Sequence, residues 1–154
     1  MKKKLALVAS VAVAGGGAVA MTANAASSAD AVRAVKTASR GIAHKAYEVD
    51  RERNHWEVKF ADGTERHVTL NGRRVTKTRQ DDDRSRAVRN AQVSLVTALR
   101  TAARRADGRL EDAEIDRERG RLVWSVNFER GDTETEVEVD AKTGRVVRVN
   151  RDDD

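Results

Sequence analysis

Residues 49–60 read Val-Asp-Arg-Glu-Arg-Asn-His-Trp-Glu-Val-Lys-Phe, and residues 115–128 read Ile-Asp-Arg-Glu-Arg-Gly-Arg-Leu-Val-Trp-Ser-Val-Asn-Phe. Each stretch places an aliphatic residue and Asp-Arg-Glu-Arg before a Trp-x-Val-x-Phe run. A glycine follows each run at the same distance, at Gly63 and at Gly131. Internal similarity of this kind predicts two copies of one supersecondary unit in the 154-residue chain.

The Trp-x-Val-x-Phe runs alternate apolar and polar residues, which predicts half-buried antiparallel strands. Val58 should face Val68 across the first hairpin, because both side chains must reach the core. This parity requires an odd loop of three or five residues. In the second hairpin, Val126 opposite Val137 permits a two-residue loop at residues 131–132, so the two hairpins should differ by one residue.

A helix is expected before the strands of each unit. In the first unit Val32, Val35 and Ala38 fall at helical spacing, with Ser27 and Ser28 as candidate N-caps.

The second helix has its apolar stripe at Leu95, Leu99, Ala102 and Ala106. Ser94 can cap this helix and Gly108 can supply a left-handed C-terminal turn. Because Val88 and Ala91 continue the stripe backwards, a longer helix that begins near Arg84 remains open.

These patterns predict an α+β protein made of two tandem small units, each a helix packed on an antiparallel sheet in the order α-β-β-β. The predicted boundaries are residues 1–25 for a signal peptide, 27–80 for a degenerate first unit, 81–93 for an acidic linker and helix lead-in, and 94–150 for the second unit. A unit this small buries little core, and the chain has no cysteine to form a disulfide. Three arrangements therefore remain open: the units pack together, the chain forms a homodimer, or a partner completes the sheet.

The first 25 residues have the three parts of a secretory signal peptide. A basic start at residues 2–4 precedes an apolar stretch at residues 5–20 and an Ala-x-Ala site at residues 23–25. The apolar stretch is shorter than the ~20 residues of a spanning helix. Cleavage is therefore predicted, with a retained anchor as the alternative, and no stable membrane span is expected in the cleaved chain. Cleavage would also reduce the formal net charge of +5 by the three lysines.

The closing stretch Val139-Asp140-Ala141-Lys142-Thr143-Gly144-Arg145-Val146 resembles the PepSY domain, and the similarity extends from Ser94 to Val149. Residues 27–78 resemble the family more weakly, with Asn71-Gly72 in place of the Asp-Ala-x-Thr-Gly turn. The whole chain is similar to small exported bacterial proteins with tandem PepSY copies.

The resemblance implies a secreted or extracytoplasmic, non-catalytic module that inhibits or modulates secreted peptidases. The alternative is a cell-envelope structural or sensing module, associated with the cell wall, that binds a wall polymer or a membrane partner. The family has no residue-level catalytic site, so no catalytic, cofactor-binding or metal-binding residue is carried over, and the partner-binding residues are unknown.

The remaining residues supply no enzyme motif. There is no His-Glu-x-x-His, no Gly-x-Ser-x-Gly and no phosphate loop. We therefore predict no enzyme and no cofactor. Nucleic-acid binding is not expected either, since the arginines are mixed with acids and the aromatic residues are assigned to the core.

The three histidines all lie in the first unit. His55 and His67 have the parity to share the outer face of the first hairpin. Two interpretations remain open: a pair of solvated strand histidines, which the sequence favours, or a weak metal-binding or pH-sensitive pair. His44 is expected at the surface after the helix.

Three groups of acids stand out. Residues 81–83 and 152–154 are Asp triplets that lack the spacing of a calcium loop, so they are interpreted as a charged linker and a charged tail. Glu134, Glu136 and Glu138 should share the strand face opposite Val137 and Val139. Such outward glutamates usually discourage edge pairing, but a docking face for a basic partner stays open.

Overall fold

Eight antiparallel strands form one continuous sheet, and two helices pack on one of its faces. The computed structural model describes residues 20–82 and 84–153, with side chains for residues 27–82 and 84–152. The elements are α1 (Ala20–Ala38), β1 (Ala46–Arg51), β2 (His55–Phe60), β3 (Thr64–Thr69), β4 (Val75–Gln80), a short 3-10 helix (Ala87–Asn90), α2 (Leu95–Ala102), β5 (Arg109–Glu118), β6 (Arg121–Arg130), β7 (Thr133–Asp140) and β8 (Val146–Asp153). The strand order is β4-β3-β2-β1-β5-β6-β7-β8.

This architecture agrees with the predicted α+β class but differs from it in two respects. Four strands follow each of α1 and α2, where three were predicted. The strands do not form two separate sheets, because β1 pairs with β5 at the centre. Val49 and Ala113 are directly opposite each other there and are fully buried, so joining the strands extends the core across the middle of the sheet.

The predicted loop lengths of both hairpins are confirmed, but the predicted pairing of Val58 with Val68 is wrong. The loop between β2 and β3 has three residues, 61–63, and the loop between β6 and β7 has two, Gly131 and Asp132. Val126 lies opposite Val137, as predicted. With the three-residue loop, Val68 lies opposite Trp56, and Val58 lies opposite Arg66 instead of Val68.

The helix ends required corrections. Ser27 and Ser28 are not N-caps, since α1 already begins at Ala20 and passes through both serines. The alanine-rich segment before them is a good helix former, which explains the extension. The predicted signal peptide lies largely outside the described residues, and its expected cleavage site, residues 23–25, falls within α1. Among the described residues, no helix combines the length and the apolar character that crossing a membrane requires.

Around α2, the predicted N-cap is confirmed, the longer helix that the sequence left open does not form, and the predicted C-terminal role of Gly108 is wrong. Ser94 caps the helix, its Oγ accepting from the Thr97 amide at 3.2 Å. The longer helix does not form, because the amides of Gln92 and Val93 both donate to the Ala141 carbonyl and hold the chain extended. Gly108 has a positive φ of 141°, but it lies just before β5 and not at the helix end, which is at Ala102.

One continuous hydrophobic core lies between the helices and the sheet. Trp56 and Trp124 are its largest residues, and each is almost fully buried. Their indole N–H groups donate to the carbonyls of Leu70 and Val93, at 2.9 and 3.0 Å.

The predicted charged tail is partly wrong, since Asp152 belongs to β8 and pairs with Glu134.

Candidate functional site

The sheet face opposite the helices is polar, and we call it the polar face. Two rows of side chains cross it, each with one residue from every strand. From β4 to β8, the first row is Arg79, Glu65, Lys59, Glu48, Glu114, Ser125, Glu138 and Arg148, and the second is Lys77, His67, Glu57, Asp50, Asp112, Asn127, Glu136 and Asn150.

Like charges meet at the centre of the polar face. Glu48 lies opposite Glu114 and Asp50 lies opposite Asp112, an arrangement that destabilises a sheet when the carboxylates are ionised. Burial and the neighbouring Glu48 raise the pKa of Asp50 to about 8. Burial likewise raises the pKa values of Asp112 and Glu114. Lys59 offsets part of this charge, with its Nζ 2.7 Å from Glu48 and 4.0 Å from Asp50.

The histidine pair lies on the β4 side of the polar face. As the strand parity predicted, His55 and His67 share this face, and their rings stack with centroids 4.2 Å apart and planes 14° from parallel. Both residues are half-buried, and the Nε2 atom of His55 is buried without a hydrogen-bond partner. Burial also lowers the pKa of His55.

Two carboxylates accompany the pair. The Nε2 atom of His67 is 2.8 Å from Glu65 and 3.6 Å from Glu57. Arg79 binds Glu65 from the other side, with its Nε at 2.6 Å. Burial alone would raise the pKa of Glu65, but the hydrogen bonds from Arg79 and His67 lower it. The third histidine, His44, lies apart at the surface, 3.7 Å from Asp62.

The three glutamates predicted to share one face of β7 do so. Glu136 accepts from Ser125 at 2.6 Å and from Asn150 at 3.1 Å, and Glu138 is 3.4 Å from Arg148. Because these contacts lie within the sheet, they favour a structural role over a docking face for a basic partner.

The two edges of the sheet differ in character. β4 carries only polar residues after Val75, including Lys77 and Arg79, and such charged edges resist pairing. β8 is also charged, at Arg148, Arg151 and Asp152, but it additionally exposes Val147 and Val149, by 37% and 41%. Among the described residues these are the only large hydrophobic side chains exposed to this extent.

A cleft of about 860 Å³ separates α1 from α2 on the opposite side of the molecule. Its apolar floor includes Val32 and Leu99. Basic residues surround this floor, namely Arg33, Lys36, Arg100, Arg104 and Arg130, with Asp107 as the one acid in the lining. The cleft therefore suits a ligand with both apolar and anionic parts.

The turn between β7 and β8 holds the motif that the sequence analysis singled out. The Asp140 carboxylate accepts from the amides of Lys142 and Thr143, at 2.9 and 2.8 Å, and Gly144 has a φ of 74°. These amide donors lower the pKa of Asp140. The Ala141 carbonyl accepts from Gln92 and Val93, so the turn also fixes the approach to α2.

Taken together, these features define an α+β protein whose sheet has one polar face, one face covered by helices and one edge strand, β8, with two exposed valines. Residues 92–150 match the family described as the peptidase propeptide and YPEB domain, PepSY. This part of the chain is a PepSY domain, as the motif at Val139–Val146 predicted. The match does not extend to residues 27–80, so the tandem copy there stays a prediction.

The fold can also be compared with solved structures. One similar structure is that of a "putative lipoprotein" from Clostridium difficile 630, with a TM-score of 0.43 and 19% sequence identity. The alignment covers 80% of this chain and 91% of that chain. A comparison with curated proteins found no match.

Sequence reasoning found the histidine pair but missed the two features that depend on long-range pairing. The like-charge block at the centre arises only because β1 joins β5. The exposed valines of β8 lie at an open edge only because β8 is the last strand in the sheet order. The alternation of the valines in residues 146–149 could have indicated a strand, but not that its outer side is open.

Proposed function

We propose that this protein is an exported, non-catalytic binding module that modulates secreted peptidases, and that it binds them through the free edge of β8. The observation that carries this proposal is the position of β8, the last strand of the PepSY domain, at an edge of the sheet with two exposed valines. We interpret the whole chain as a secreted bacterial protein with two tandem units of this kind.

An edge strand has unpaired backbone N–H and C=O groups along its outer side, and an extended segment of another protein can pair with them. The free edge of β4 is less suited, because β4 exposes no large hydrophobic side chain, whereas β8 exposes two. Val147 and Val149 add apolar surface that a partner can cover. Peptidases bind extended peptides in their clefts, so a strand edge can contact the same kind of surface.

Export is supported by the basic, apolar and Ala-x-Ala segments at residues 1–25. The same segments favour a location outside the cytoplasmic membrane, in the medium or at the cell wall. A non-catalytic role is supported by the family, whose description names a propeptide.

The test is binding and inhibition of the secreted peptidases of the source bacterium by residues 26–154. We compare the unsubstituted chain with Val149→Lys, which places a charge on the β8 edge. Thr78→Lys is the matched control, since it places the same charge on the opposite edge strand, at an exposed position of β4.

We expect binding by the unsubstituted chain and by Thr78→Lys, and at least tenfold weaker binding by Val149→Lys. Circular dichroism checks that both variants are folded. Equal binding by all three proteins would contradict the role of the edge. The absence of binding to any secreted peptidase at micromolar concentration would contradict the peptidase link. Sedimentation of the chain alone shows whether it forms a homodimer, since a second copy could occupy the same edge.

The cleft between the helices favours a second candidate function, an envelope module that binds an anionic wall polymer or a membrane partner. Its basic rim and apolar floor are the supporting observation. We test it by cosedimentation with cell walls at increasing salt, because exposed charge attraction weakens as ionic strength rises. The double substitution Arg100→Glu and Arg104→Glu should abolish salt-sensitive binding, whereas Arg53→Glu, exposed in the β1–β2 turn, should not.

A further inference from the structure

The stacked histidines and their carboxylate neighbour bring three metal-ligand side chains together. His55 and Glu57 are two residues apart on β2 and therefore share a face, and His67 lies directly opposite Glu57 on β3. One donor atom from each of the three side chains lies within 4.8 Å of the other two. Ligands of a tetrahedral zinc ion are roughly 3.3 Å apart, since each bond is about 2.0–2.1 Å long. Because the two imidazole rings stack with planes 14° from parallel, both rings must turn out of the stack to direct their lone pairs at one ion.

The donor atoms have the chemistry that a metal requires. The Nδ1 atom of His55 is 2.8 Å from the side-chain oxygen of Asn54, and the tautomer that pairs these two atoms has its proton on Nδ1. The lone pair is then on Nε2, the buried atom that has no hydrogen-bond partner. A histidine that binds a metal through one nitrogen commonly donates from the other to an oxygen, as His55 does here.

The surroundings hold both carboxylates and cations. Glu57 and Glu65 both approach the Nε2 atom of His67. Arg79 contacts both carboxylates, and the Lys59 Nζ atom is 3.7 Å from Glu57, so an ion bound by Glu57 competes with these two cations. Arg79 holds Glu65 in place independently of His67, so that carboxylate can orient the ring as a neighbour of the site. The polar face leaves His67 and Glu57 each about 15% exposed, which gives an ion access from solvent.

We propose that His55, Glu57 and His67 form a binding site for one divalent transition-metal ion of the zinc class. Two imidazoles and one carboxylate suit zinc, copper or nickel, whereas calcium and magnesium prefer ligand sets made of oxygen alone. Three protein ligands leave one position of a tetrahedral ion for water or for a group from a partner. The proposal concerns the first half of the chain and does not depend on the β8 edge.

The test is titration of residues 26–154 with Zn²⁺ by isothermal calorimetry, with Co²⁺ absorption as a second readout. We expect one ion per chain, and a visible Co²⁺ spectrum typical of four ligands. His55→Gln and His67→Gln should each weaken binding by more than about tenfold. His44→Gln is the matched control, because His44 is the third histidine and lies outside the cluster. Ca²⁺ at the same concentration should not displace the ion.

A second measurement uses only the unsubstituted chain, so its result does not depend on whether the variants fold. Imidazole NMR signals of His55 and His67 should shift on addition of one equivalent of Zn²⁺, while those of His44 stay unchanged. Binding that is equally strong in all three variants, or Zn²⁺ shifts that include His44 alone, would overturn the proposal. No detectable binding of Zn²⁺ at millimolar concentration would overturn it as well.

Discussion

Gly72 is the residue at which the turn between β3 and β4 meets α1. Its φ is 70°, and a Cβ atom placed on it would lie 2.6 Å from the Asp30 carbonyl oxygen and 2.7 Å from the Ala34 amide nitrogen. The contact is reinforced by hydrogen bonds, since Thr37 donates to the Gly72 carbonyl at 2.8 Å and Arg33 donates to the Asn71 carbonyl at 2.7 Å. The glycine is therefore required both by its backbone conformation and by the closeness of the helix.

We predict that Gly72→Ala lowers the free energy of unfolding by about 2–5 kcal/mol, measured by urea denaturation. The left-handed conformation costs an alanine roughly 1–2 kcal/mol, and the clash with helix backbone adds an overpacking cost of about 1–3 kcal/mol. Gly120→Ala is the matched control, because Gly120 has a φ of 80° but a Cβ atom placed on it would meet nothing within 4 Å. It should show the conformational cost alone. Equal losses in the two variants would refute the role of the α1 contact.

At the scale of elements, strand alternation predicted the hairpin loop lengths correctly, whereas the joining of β1 to β5 could not be predicted. Trp56, Val58 and Phe60 are regularly spaced, so their shared face and the odd loop followed from parity alone. The β1–β5 pair gives no such signal, because Glu48 and Asp50 lie opposite two further acids. Opposite charges would be expected to face each other across that junction. The burial of Val49 and Ala113 stabilises the β1–β5 pair by more than the facing acids destabilise it.

The same junction predicts how stability depends on pH. The pKa of Asp50 is raised to about 8 in the folded chain from its ordinary value of 3.8, so the folded state binds the proton more tightly. The stabilisation is complete below the ordinary pKa and is lost as the pH rises through about 8. Burial raises the pKa values of Asp112 and Glu114 too, and these groups act in the same direction.

We therefore expect Asp50→Asn to flatten the pH dependence, because the amide resembles the protonated carboxyl and can still donate to Glu48. Between about pH 4 and pH 8, the free energy of unfolding of the unsubstituted chain should fall more steeply than that of Asp50→Asn. Urea unfolding at several pH values measures both. Asp132→Asn, in the exposed loop between β6 and β7, should retain the original dependence. Parallel curves for Asp50→Asn and the unsubstituted chain would contradict the assignment.

At the scale of the whole molecule, the two halves of the chain share one core. α1 precedes β1–β4 but also contacts β5, and α2 packs against α1 as well as against β6 and β7. The buried cluster accordingly includes residues from both halves, among them Trp56 and Trp124. Separate small units would each bury little apolar surface, so joining them in one sheet provides the core that neither supplies alone. This arrangement answers one of the alternatives that the sequence left open: within the described residues, the two halves pack together.

A shared core predicts that both halves unfold in one cooperative transition. Tryptophan fluorescence can follow each half, because Trp56 lies in the first half and Trp124 in the second. Trp124→Phe leaves only the first probe, and Trp56→Phe leaves only the second. Val58→Ala, a cavity in the first half, should lower the free energy of unfolding by about 2 kcal/mol in both single-tryptophan backgrounds. Comparison within each background removes the effect of the tryptophan substitution itself. If Val58→Ala shifts the urea transition seen by Trp56 and leaves that seen by Trp124 in place, the halves are independent and the β1–β5 pairing contributes little to stability.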